Sequence, residues 1–151
     1  MVDCFINELR YLNNGAGTQA AFVEIACPVS VILQEATLVL YSGGGQYREL
    51  HLDDPGPQQT SIYVGEGGSL RFDGFELSSV QHGDPRGAGM ALVEASGHVV
   101  QFLSYGGQVA ATDGPAIGMT SVDIGVSQSD SAPADESLQL TGTGYYEPDC
   151  E

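Results

Sequence analysis

His51, His82 and His98 are the only imidazoles in the 151-residue chain, and none stands in a pattern that assembles a catalytic base. Nucleophilic catalysis needs a Ser, Cys or Thr paired with a base that a third group orients. His51 alternates with Leu50 and Leu52, which puts it on the polar face of a strand, and His98 follows a turn, where it is solvated. His82 lies in QHGDPRG with Asp84 and Arg86 close by in sequence, the composition of an ordinary Gly/Pro loop. A two-metal phosphoesterase would need several His, Asp and Asn residues in motif contexts, and these are absent too. The chain is therefore expected not to be an enzyme, with no catalytic residue to name.

The carboxylates are the second group able to do chemistry. Hard oxygen ligands suit calcium, and the weak candidates are Asp53 and Asp54 in DDPGP with Asp123 and Asp130 further on; Asp135 and Glu136 follow in the same segment. Their spacing matches neither an EF-hand nor a glycine-rich nonapeptide repeat. Aspartate also favours turns through its own side-chain hydrogen bonds, which accounts for most of these positions without a metal. No other cofactor is expected. Glu8 and Glu24 occupy matching positions in FINEL and FVEI; on paired strands they would repel if opposed, and so point outward, bind an arginine such as Arg10, or share a cation.

The net charge of −16 comes from too few bases rather than too many acids. Charged residues make up 16% of the chain, against about 25% in an average protein. The bases are four arginines, Arg10, Arg48, Arg71 and Arg86, and there is no lysine. Affinity for nucleic acid comes mainly from Lys and Arg displacing counterions, so this surface repels phosphate backbones and no nucleic-acid partner is expected. Three readings of the charge stay open: solubility in a salty medium, divalent-cation binding, or a basic partner.

Cys4, Cys27 and Cys150 are the disulfide candidates. If the runs 5–10 and 21–26 pair antiparallel around YLNNGAGTQA, Cys4 and Cys27 fall at the same end of the ladder, where a bridge is geometrically reasonable. Cys4 to Cys150 is the competing pairing, since sandwich termini often lie close together. Three free thiols in a reducing compartment is the third possibility. MVDCFINEL lacks the basic and apolar regions of a signal peptide, and no apolar run approaches the roughly 20 residues that cross a bilayer. No membrane span is expected, and export by another route or a mature N-terminus is. No Asn-X-Ser/Thr site occurs, which excludes N-glycosylation.

These residues must be positioned by strands. Short apolar runs punctuated by Gly, Ser and Asp, with 21 glycines and no long 3.6-residue stripe, give all-β texture. Strands are predicted near 4–10, 21–26, 36–42, 47–52, 69–77, 89–95, 98–104 and 137–140, with a short one at 62–64. Periodicity alone would allow a helix at 31–36 within VSVILQEATLVLYS, but its β-branched residues and the glycines at 43–45 favour strand and turn. Gly97 after Ser96 suits the positive φ of a tight hairpin turn. Residues 112–136 read as a 25-residue loop, long enough to be functional or mobile.

The motifs ALVEASGHVVQFLSY (91–105), ATDGPAIG (111–118), TSVDIGVS (120–127) and SLQLTGTG (137–144), with FINEL (5–9) and FVEIACP (22–28), resemble the lamin tail domain family, in the form found in bacterial secreted proteins and often beside extracellular nucleases. The matches run in order over nearly the whole chain, loosely between 44 and 86. The resemblance implies an all-β, immunoglobulin-like antiparallel β-sandwich, a single domain over 1–151, and a binding or anchoring role rather than catalysis. The expected function is a non-catalytic extracellular or secreted binding, adhesion or scaffolding module; the alternatives are an accessory domain of a secreted nuclease-type hydrolase and a self-assembling structural subunit. A protein or glycan partner, or self-association, is expected through the 112–136 loop. Its candidate contacts are Asp113, Asp123, Asp130, Asp135 and Glu136, with no base among them.

Overall fold

The computed structural model describes residues 4–11, 21–26, 35–52, 62–63, 69–73, 87–128 and 136–140, with the backbone alone at 62–63 and 69–73. All ten elements are strands: β1 (Phe5–Arg10), β2 (Phe22–Ala26), β3 (Thr37–Ser42), β4 (Gly45–His51), β5 (Ile62–Tyr63), β6 (Ser69–Asp73), β7 (Ala88–Val93), β8 (Val99–Tyr105), β9 (Val122–Asp123) and β10 (Leu138–Gln139). They form two five-stranded sheets packed together as in a β-sandwich, one in the order β10-β1-β2-β6-β5 and the other β4-β3-β7-β8-β9. No helix occurs among the described residues, and none there is long and apolar enough to cross a membrane.

Alternation along the strands builds the core. Leu38 and Leu40 of β3, Met90 and Leu92 of β7, and Leu103 and Tyr105 of β8 point between the sheets, against Ile6 and Leu9 of β1 and Val23 and Ile25 of β2. Full burial of such side chains contributes about 1.5–3 kcal/mol each. Tyr11 and Tyr105 stack across this core with ring centroids 4.1 Å apart, and Tyr11 exchanges two bonds with Gln128: its N–H donates to Oε1 at 2.8 Å, and the Gln128 N–H donates to the phenol oxygen at 2.7 Å. A bulge between Ile6 and Glu8 interrupts the β1–β2 ladder. The Ile6 N–H beside it donates instead to Gln101 Oε1 of β8 at 2.8 Å, tying the two sheets together.

The expected hairpin turn at 96–97 forms, and the turn expected at 43–45 closes a second hairpin. Ser96 and Gly97 connect β7 to β8 with Gly97 at φ 83°, closed by Gly97 N–H to Glu94 O at 2.8 Å. Gly43 and Gly44 join β3 to β4, both at positive φ, the conformation of a type I′ hairpin whose twist matches the strands.

The structure departs from the expected pattern at residues 112–136. This segment contains β9, which no periodicity signalled, and β9 pairs parallel with β8, so the second sheet is mixed rather than wholly antiparallel. The physical reason is that the chain leaving β8 crosses the outer face of its own sheet before returning to the β8 edge in the same direction. That outer face carries a second apolar cluster: Val39, Tyr41, Ala91, Val93 and Phe102 are covered by Val109, Ala111 and Ala116. Strands β3 and β7 are thus buried on both faces. The boundaries predicted at 74–77 and the helix alternative at 31–34 lie outside the described residues.

Phe5 pairs with Ala26 in the antiparallel β1–β2 ladder, and Cys4, one step beyond Phe5, is buried. Cys4 is the one described cysteine, so no disulfide joins two described residues, yet its sulfur is disulfide-bonded. Cys27 and Cys150 lie outside the described residues.

Candidate functional site

The segment expected to bind is built as a strap. Its ends hold each other: Ala111 N–H donates to Met119 O, Gly118 N–H to Ala111 O and Ser121 N–H to Val109 O, all within 3.0 Å, around an Ala110–Thr120 bridge. Ser121 Oγ accepts from Val109 N–H at 2.8 Å and donates to Ser104 Oγ at 2.6 Å, both hydroxyls being buried. The strap is pinned to the sheet by Ala116 N–H donating to Tyr41 Oη at 3.0 Å, by Thr112 N–H donating to Gly44 O at 2.9 Å, and by Asp113 Oδ1 accepting from Gln46 N–H at 2.6 Å.

Asp113 therefore holds the strap to β4. Asp123 Oδ1 accepts from Gly125 N–H at 2.9 Å and shapes the turn after β9. Glu136 is exposed, and its carbonyl accepts from Gln128 Nε2. Asp130 and Asp135 lie outside the described residues, as do Asp53, Asp54 and His82. No group of three or more His, Cys, Asp or Glu side chains that could hold a metal occurs among the described residues.

Glu8 and Glu24 do face each other in the ladder, and Arg71 is the register partner of Glu24 on the other side, while Arg10 is opposite Phe22. Neutral donors meet the two carboxylates: Asn7 Nδ2 donates to Glu24 Oε1 at 2.8 Å, and Ser137 Oγ to Glu8 Oε1. This row is a structural seam joining β10, β1 and β2. His98 is exposed, with Nδ1 3.8 Å from Glu94 Oε2, and His51 is exposed on β4.

What sequence reasoning missed is the apolar surface of the strap. Ile117 (64% exposed), Met119 (40%), Val122 (59%) and Val126 (57%) are four of the five large hydrophobic side chains exposed among the described residues; the fifth is Tyr47. The signal was present in AIGMTSVDIGV, where apolar residues sit singly between Gly, Ser, Thr and Asp. Beside them a groove of about 230 Å³ opens between the sheet edges, lined by Leu9, Leu103, Ile124, Val126, Leu138 and Leu140 among others. On the outer face of the second sheet a shallow depression of about 340 Å³ is lined by Glu35, Thr37, Glu49, His51 and Glu94, with Val93 and Pro115.

Two phenols titrate abnormally. Burial pushes the Tyr105 hydroxyl well above its ordinary value, with Tyr47 and Tyr11 adding to the effect, and burial likewise raises Tyr41, opposed by the Ala116 N–H and reinforced by Asp113 and Glu49. The unfolded phenols ionise near about 10, so above that pH the unfolded state releases protons the folded state keeps, and stability falls as pH rises. Alkaline titration is expected to show phenolate absorbance for these two residues appearing with the loss of near-ultraviolet circular dichroism, rather than ahead of it. Tyr105→Phe should shift that transition to higher pH.

No protein-family model matches the chain, and neither the curated proteins nor the solved structures compared with it include a match.

Proposed function

We propose that this chain is a non-catalytic binding module acting outside the cell, a single immunoglobulin-like sandwich of the lamin tail type that uses the strap to contact a protein or glycan partner or a second copy of itself. The observation that carries this reading is the concentration of exposed apolar side chains at 117–126 on a backbone held by its own hydrogen bonds. Exposing Ile117, Met119, Val122 and Val126 on a rigid platform loses free energy in solution unless a partner covers them. A preformed strap also avoids the ordering cost that a floppy loop pays on binding. The bonded sulfur of Cys4 supports an oxidising compartment. The order of the motifs from FINEL to SLQLTGTG supports the lamin tail resemblance.

The test is the double variant Ile117→Asp with Val126→Asp. Both positions are exposed, so stability should change by no more than about 0.5 kcal/mol per substitution. Sedimentation and capture experiments in the medium of the producing cells are expected to show loss of self-association or of the captured partner. Binding that persists unchanged in the double variant would remove the strap from the interface.

A further inference from the structure

We propose that the depression on the outer face of the second sheet receives an arginine side chain of a basic peptide segment in the partner. The inference rests on the binding reading above and assigns the chemistry that one part of the partner must carry.

The floor of the depression is a single cross-strand row. Thr37 of β3 pairs with His51 of β4 on one side and Val93 of β7 on the other. Glu49, two residues before His51, shares its face, and Glu35 and Glu94 border the opening; Pro115 of the strap forms a further wall. Three carboxylates thus line a hollow of about 340 Å³, and no lysine or arginine is among the described residues of its lining.

A cluster of acids alone is an ordinary solvated surface. The second observation is Thr37, 8% exposed, a residue that lines the hollow and whose hydroxyl has no hydrogen-bond partner among the described residues. Buried polar groups in native proteins are nearly all satisfied, and one facing a pocket is an acceptor awaiting a donor.

The chemistry selects the ligand. No three of the carboxylate and imidazole groups converge closely enough to hold a metal ion, so the site needs a cation whose donors are spread over several ångströms. A guanidinium has five N–H donors in a planar fork, able to reach carboxylates on separate strands and the Thr37 oxygen together. Its aliphatic stem and flat face suit Val93 and Pro115. An ammonium is a compact point charge and would leave part of this lining unused.

The probe is the blocked tripeptide acetyl-Gly-Arg-Gly-amide, titrated into the isotope-labelled full chain and followed by amide resonances, beside its lysine and citrulline counterparts. Saturable shifts are expected at Thr37, His51, Val93, Glu94 and Gly97, weaker binding with lysine, and none with citrulline, which keeps the shape without the charge. Glu49→Gln should weaken the arginine peptide about three- to five-fold, as befits an exposed charge. Thr37→Val, similar in shape, should weaken it about three- to ten-fold. Equal shifts with citrulline, the same shifts from calcium chloride, shifts confined to 117–126, or undiminished binding in both variants at unchanged melting temperature would each overturn the assignment. Loss of partner capture on Ile117→Asp with Val126→Asp, with peptide binding unaffected by Glu49→Gln and Thr37→Val, would leave the binding reading standing and this site refuted.

Discussion

Gly44→Ala is expected to lower folding stability by about 2–5 kcal/mol, combining roughly 1–2 for a side chain in the left-handed region with about 1–3 for overpacking. Gly44 has φ 97°, and a Cβ there would stand 2.6 Å from the carbonyl oxygen of Ala110, a backbone atom that cannot rotate away. The same residue accepts two bonds from Thr112, through N–H at 2.9 Å and Oγ1 at 3.2 Å. The substitution therefore acts where the strap meets the β3–β4 hairpin. Because the strap covers Val39, Tyr41, Ala91 and Phe102, loosening it should uncover the second apolar cluster. Urea unfolding should show a lower midpoint, and a dye that binds exposed apolar surface should respond below that midpoint. Wild-type stability with no dye binding would mean that the strap is not integral to the folded core.

Cys4→Ser is expected to cost about 2–5 kcal/mol, the usual effect of removing a native disulfide from a small domain. The partner is proposed to be Cys27. The β1–β2 register pairs Phe5 with Ala26, and in the sequence Cys4 immediately precedes the first of these residues and Cys27 immediately follows the second. Directly opposed strand residues have Cα atoms about 4.5–5.5 Å apart, within the span a disulfide needs. Closing the roughly 22 intervening residues restrains the unfolded chain by about 3 kcal/mol in the entropy model. Peptide mapping without reduction should yield a Cys4–Cys27 linked pair, with Cys150 free or joined to another chain. A Cys4–Cys150 peptide would refute the pairing while still supporting the proposed oxidising compartment.

Most of the strand order was legible in the sequence. Alternation in FINEL, FVEIA and TLVLYS, with glycines at 43, 44 and 97 where positive φ was needed, is local chemistry, and the structure places those strands and turns within two residues of expectation. The site was less legible. Asp113 and Asp123 read as contacts because they are acids in a long loop; the structure gives each carboxylate a backbone N–H to satisfy. The hollow around Thr37 had no sequence signal, since Glu35, Glu49, Glu94 and Pro115 come together only when β3, β4, β7 and the strap are assembled.

What the sequence by itself determined is the all-β character, the hairpin turns and the base-poor surface, because strand periodicity, glycine dihedrals and net charge depend on neighbours a few residues apart or on composition alone. Only the tertiary structure decided that β3 and β7 are buried on both faces. Their continuous apolar runs imply burial without naming what lies above, and the covering residues Val109, Ala111 and Ala116 are too few and too small to announce themselves as core. The parallel pairing of β9 was decided in the same way, since two residues at an edge carry no periodicity and their direction follows from the strap's path across the sheet.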